Sequence, residues 1–173
     1  METTINQTFK QPKMYNLIIK LRSAILVWLT HRLALPILKL IRKPERFPYS
    51  KAQLNNFPLG TIGKELVDFL ESKNLQLLPY YARHDMKHIL LEYDTTDEGE
   101  GCLQCFMLGN GHLSFPVLAT VVYCFVSMPE YWSHFRAAYN RGKRSAPIAN
   151  LDWFAVLHSP TSELKKGIEK NSL

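Results

Sequence analysis

Phe115-Pro116-Val117-Leu118-Ala119-Thr120-Val121-Val122-Tyr123-Cys124-Phe125-Val126-Ser127-Met128 is the stretch on which the fold class turns. Its β-branched residues suit a strand, but its length favours a helix. It is apolar nearly all round, which predicts a buried helix. The apolar run Leu113 to Met128, with Pro116 inside it, is also short for a bilayer span. Downstream, Pro129 opens a helix through Trp132, Phe135 and Tyr139 that stops at Asn140-Arg141-Gly142 with basic residues at its end. Upstream, Glu100 to Leu108 reads as a helix ending at Gly109-Asn110-Gly111. The turn Asp94-Thr95-Thr96-Asp97 separates it from a segment over Tyr80 to Tyr93. Further back, Ile62, Leu66, Phe69 and Leu70 form an apolar stripe on a helix ending near Lys73, and Leu75, Leu77 and Leu78 form a packed connector. A last short helix follows Pro160. With no repeat and no period-two strand, the chain reads as all-α, a single-domain helical bundle with an amphipathic basic N-terminal helix.

The 173 residues, 46% hydrophobic, suffice for one substantial core. A net charge of +6 suggests nucleic acid, but the placement of the charge argues otherwise. Lys20, Arg22, Arg32, Lys39, Arg42 and Lys43 alternate with large aliphatics, and no acid lies between Glu2 and Glu45. Cations around an apolar body fit a membrane-surface helix better than a groove tracking phosphates. The same composition is less suited to an organellar transit peptide, being dense in Leu and Ile and sparse in Ser and Arg. The expected organisation is a disordered tail over 1–13, a basic amphipathic membrane-surface helix over 14–43 kinked at Pro36, and a helical domain beyond the hinge, over 56–173 by the resemblance described below. Any hinge falls at Lys43 to Pro48. Three cysteines, with no secretory peptide, argue for a reducing compartment.

The chemistry concentrates in Arg83-His84-Asp85-Met86-Lys87-His88 and, after residues 89–99, Glu100. Histidines four apart share one helix face, so their imidazoles can converge. With Asp85 and Glu100 they offer nitrogen and carboxylate ligands for a divalent ion such as zinc, with room for water or substrate. Set against this, a histidine pair at this spacing is often coincidence, and Glu100 is equally placed to face solvent at a helix start. Asp85 beside the first histidine favours the metal reading, and so does Glu100 set between Gly99 and Gly101, which let another backbone approach it. A zinc peptidase needs His-Glu-x-x-His, a lipid desaturase several histidine boxes, and a His-Asp phosphohydrolase further ligands. Here His112, His134 and His158 are isolated, and only His31 lies upstream. Cys102-x-x-Cys105 reads as packing rather than as a redox pair, and Arg141, Lys143 and Arg144 as a solvated helix end.

The pattern His84-Asp85-x-x-His88, then residues 89–99, then Glu100, resembles the metal motif of the Coq-four family of ubiquinone (coenzyme Q) biosynthesis proteins. Leu59-Gly60-Thr61-Ile62-Gly63, Tyr139-Asn140-Arg141-Gly142-Lys143 and Asp152-Trp153 resemble other parts of that family, from about Asn56 onward. The chain departs from the family where a glycine commonly follows the second histidine, at Ile89-Leu90-Leu91-Glu92, and where Phe154 replaces an acid. The resemblance implies a helical, membrane-peripheral protein of polyprenyl-quinone biosynthesis. His84, Asp85, His88 and Glu100 would be metal ligands and catalytic residues, with zinc the usual metal. The implied activity removes the ring carboxylate at carbon one of a prenylated quinone precursor and hydroxylates the same carbon. Its place would be the cytoplasmic face of a bacterial membrane, or the matrix side of the mitochondrial inner membrane. The alternative is a non-catalytic, lipid-binding scaffold for the enzymes of that pathway. The partners implied are the prenylated precursor or another isoprenoid lipid, a membrane surface, other quinone-biosynthesis enzymes and, in a homodimer, a second copy of the chain. Nucleic acid is not among them.

Overall fold

The structure, a computed structural model, describes residues 13–28, 46–149 and 151–169. The tail and the second half of the basic helix, with Pro36 and Lys43 to Glu45 of the hinge, lie outside the described residues. Among those described are α1 (Lys13–Trp28), α2 (Lys51–Asn55), α3 (Ile62–Ser72), α4 (Ala82–Leu91), α5 (Asp97–Gly109), α6 (Phe115–Ser127), α7 (Trp132–Arg144) and α8 (Thr161–Glu169). Short 3₁₀ turns span Pro129–Tyr131 and Ala155–His158. No strand occurs among the described residues; the one isolated bridge joins Thr61 to Pro160. The fold is all-α and single-domain, as the sequence predicts.

Local chemistry sets the helix starts. Ser50 and Gln53 form a capping box at α2, an element the sequence reading omitted although Ser-x-x-Gln announces it. Thr61 accepts the Lys64 N–H at the start of α3, and Thr96 accepts the Gly99 N–H at the start of α5. Helix α4 has no side-chain cap at its start, and it ends at Glu92 with φ 58°. That positive φ falls within the stretch where a glycine would be expected from the resemblance.

Helix α5 is the central element, with Leu103 and Phe106 fully buried. It packs most extensively on α7, backbone against backbone. A Cβ on Gly142 would collide with the Phe106 carbonyl, and one on Gly109 with the Tyr139 carbonyl. Gly142 therefore lies inside α7 and does not end it. Asn110 fastens the crossing: its amide donates to the carbonyls of Gly142 and Ala146 (3.0 Å each) and its oxygen accepts from Ile148 N–H (2.9 Å).

Two expectations about burial are overturned. Helix α6 is a helix but not a buried one: only Val117 and Cys124 are buried, while Leu118, Val122, Phe125 and Val126 are exposed. It has too few neighbours to cover its whole circumference. The connector after α3 is packed only at Leu77, with Leu75 and Leu78 exposed.

Candidate metal centre

Helix α4 carries His84 and His88 one turn apart, and α5 brings Glu100 to them from its first turn. The Nε2 atoms of both histidines and Oε1 of Glu100 form a triangle, each pair 3.1 Å apart. His88 is 2% exposed, and its ring stacks on Phe69. Its Nδ1 lies 2.9 Å from the Tyr93 carbonyl, which fixes the proton on that nitrogen and leaves Nε2 bare in the neutral ring.

This donor set fits a metal ion. With His88 Nε2 bare, one proton on His84 Nε2 can serve only one of its two neighbours, so a contact between acceptors persists in the neutral triad. A cation among the three atoms satisfies all of them. Tetrahedral bonds of about 2.0–2.1 Å place neighbouring ligands roughly 3.3 Å apart, close to the spacing seen here. Among the described residues this trio is the one group of histidine, cysteine and acidic side chains with ligand atoms close enough to hold an ion. Asp85 is not part of it. Its half-buried carboxyl lines the adjoining cavity, and burial raises its pKa against the pull of His84 and His88.

The triad's charges are mutually adjusted. Burial works to raise the Glu100 pKa, but the two imidazoles hold it well below the usual carboxylate range. Burial works to lower that of His88, and Glu100 reverses the direction and raises it. Tyr81, beside His84, is pushed up to about 12 by burial and then by Glu100 and Asp85.

A cavity of about 380 Å³ opens on the triad. Leu26 of α1 together with Leu70, Leu75 and Leu78 supplies apolar walls, while Tyr81, Asp85 and Asp97 are polar. A larger hollow of about 730 Å³ adjoins it across Leu75 and Gln76. That hollow is bigger but carries no ligating group, so the smaller cavity is where chemistry would occur.

Other candidates resolve differently. The glycines flanking Glu100 admit Asp94, from the preceding turn, at Gly99 and the Phe135 ring at Gly101; at neither does a separate helix backbone approach. Cys102, Cys105 and Cys124 are free and buried, and burial pushes their thiols up to about 12, 11 and 12. They pack, as expected. Lys143 and Arg144 are exposed as expected, whereas Arg141 is half-buried: it donates to the Leu91 carbonyl and to Glu169, and lies over the Tyr93 ring. His134 pairs with Glu98, and His158 stacks on Phe57. The Tyr93 carbonyl is the partner that sequence reasoning missed, since a backbone oxygen leaves no residue signature.

Comparison with protein-family models and with curated proteins gives no match. Among solved structures, the chain is similar to a candidate ubiquinone biosynthesis protein from Nostoc punctiforme PCC 73102, with TM-score 0.61 and 18% identity. The similarity covers 94% of this chain and 84% of the other. At that identity the likeness shows a shared fold.

Proposed function

We propose that the protein is a metal-dependent member of polyprenyl-quinone biosynthesis that acts at ring carbon one of a prenylated, carboxylated precursor. The observation that carries this reading is the convergence of His84, His88 and Glu100 on one point at the end of an apolar-walled cavity. The Nostoc punctiforme protein of similar fold has the same proposed pathway, which supports the assignment. His84, His88 and Glu100 would hold a divalent ion, and zinc, which takes histidine and carboxylate ligands, is the ion we assign to them. Bound there, the ion supplies a positive charge for the precursor's carboxylate or ring oxygen.

The remaining work falls to the chain itself. Leu26, Leu70, Leu75 and Leu78 take the apolar part of the substrate and exclude water from its ring. Tyr81 and Asp85 line the same cavity, within reach of a polar ring substituent. The high pKa of Tyr81 keeps its hydroxyl protonated, so it donates a hydrogen bond at neutral pH. Prenylated substrates dissolve in membranes, so the protein would work at a membrane surface; among the described residues no helix is long and apolar enough to cross one.

The alternative keeps the metal but gives it a structural task, joining α4 to α5 in a scaffold that binds lipid. Glu100→Gln separates the two when produced in cells that depend on this protein for quinone. For an enzyme, the variant stays folded by circular dichroism while a carboxylated, prenylated precursor accumulates in the lipid extract by mass spectrometry. A folded variant with normal quinone and no precursor would remove the catalytic reading.

A further inference from the structure

Helix α4 ends at a turn that a residue with a side chain seldom makes unaided. Glu92 takes a left-handed conformation there, φ 58° and ψ 32°. The next residue carries the Tyr93 carbonyl, the acceptor for His88 Nδ1 at 2.9 Å. Where this carbonyl points bears on the metal centre, although Tyr93 supplies no ligand atom to it.

The turn is held from outside. On α7, Arg141 donates through one guanidinium nitrogen to the Leu91 carbonyl at 2.6 Å, and through the other to Glu169 of α8 at 3.1 Å. Leu91 is the last residue of α4, so its carbonyl has no partner within the helix. The guanidinium carbon of Arg141 lies 5.4 Å from the centre of the Tyr93 ring and 5.6 Å from that of the buried Phe106. One side chain thus grips the residue before Glu92 by its backbone and the residue after it by its ring. Lys165 adds an ion pair with Glu92 at 2.7 Å, but that carboxylate is 64% exposed and the pair is weakened by solvent. Arg141 is the stronger hold. What it holds decides between two acceptors for one proton. The neutral His88 ring can give its proton to Glu100 Oε1, 3.1 Å from Nε2, or to the Tyr93 carbonyl, 2.9 Å from Nδ1. The charge of Glu100 favours the first, and a well-aimed Tyr93 carbonyl favours the second. Only the second leaves a lone pair on Nε2, the atom in the ligand triangle.

We propose that Arg141 is a positioning residue for the metal centre: by clamping Leu91 and Tyr93 it aims the Tyr93 carbonyl at His88, keeps the ring proton on Nδ1 and frees Nε2 for the ion. Arg141 does not line the cavity over the triad, so it acts through the turn and not on substrate. The role rests on the metal reading proposed above, and it ties that centre to α7 and α8, which supply no ligand.

The test compares Arg141→Met with the wild-type chain, since methionine keeps an apolar stem over Tyr93 and removes every donor. Nitrogen NMR of the metal-free protein, at a pH where the ring is neutral, reports the His88 tautomer. Competition with a chelating dye reports zinc affinity. The wild type is expected to hold the proton on Nδ1. Arg141→Met should move it wholly or partly to Nε2 and weaken zinc binding about tenfold, with circular dichroism unchanged. Arg141→Lys keeps the charge but cannot reach both partners, so it should fall between the two. It also carries the comparison if Arg141→Met fails to fold. Lys143→Ala, exposed on the same helix, should change neither readout. An Arg141→Met protein with lowered Tm and the wild-type tautomer overturns the proposal, because Arg141 would then only staple α4 to α7 and α8. So does a shifted tautomer with unchanged zinc affinity. A wild-type chain that binds no zinc removes the metal reading instead, and the tautomer still decides whether Arg141 governs the ring.

Discussion

Lys87 sits between the two histidine positions in sequence, yet its chemistry is separate from theirs. Its ammonium lies 5.7 Å from the centre of the Trp153 ring. Burial, and then the like charge of Arg83, lower its pKa from 10.5 to about 8. Below pH 8 the folded state carries the full cost of that desolvated charge. Between pH 8 and 10.5 the unfolded chain keeps a proton that the folded chain has released, so this group's contribution to stability improves as pH rises. Lys87→Met is therefore expected to stabilise the protein by about 1–2 kcal/mol at pH 7, after loss of the ring contact. The gain should shrink as pH approaches 10.5, as urea unfolding at several pH values will show. At this scale the sequence revealed residue type and spacing. His84 and His88 were legible because a helix fixes where i and i+4 point, and Glu100 because the intervening turn is short. The depressed lysine was not, since its environment comes from Trp153, far along the chain.

At the scale of elements, the contact between α5 and α7 depends on atoms that are missing. Gly142 has the Phe106 carbonyl where a Cβ would go, and neither backbone can give way without moving a helix. Gly167, in α8, has open space around it. Gly142→Ala should destabilise by about 3 kcal/mol through overpacking, whereas Gly167→Ala should stabilise by roughly 0.5–1 kcal/mol through helix propensity. Chemical denaturation of the two variants decides, and opposite signs are expected from the same substitution. The contrast also shows where sequence reading reached its limit. Periodicity located α3 and α7, because an apolar stripe records which side of a helix is covered, while α5 and α8 were placed by the Gly109-Asn110-Gly111 stop and by Pro160. It failed for α6, since a helix apolar all round can have neighbours on one side or on every side, and the pattern is the same. It read Gly142 as a stop because glycine commonly ends helices; here it serves a crossing between helices distant in sequence.

For the whole molecule, the triad joins two helices through side chains that repel each other until a cation or proton intervenes. An ion bound only in the folded state adds its binding free energy to global stability. At a free zinc concentration a hundred times the dissociation constant this amounts to about 2.7 kcal/mol. For a domain of this size, that raises Tm by roughly 5–10 °C. Calorimetry of protein stripped with chelator and then titrated with zinc should show the shift, and Glu100→Gln, His84→Ala and His88→Ala should each abolish most of it. Asp85→Asn tests the fourth residue of the sequence motif. Asp85 lines the cavity but lies outside the triangle of ligand atoms, so its variant should keep the zinc-induced shift. Loss of the shift in Asp85→Asn would mean that the folded chain rearranges around the ion to bring in a second carboxylate. An unchanged Tm with zinc in the wild-type protein would leave the triad a proton-sharing cluster and remove the basis for metal chemistry in this fold.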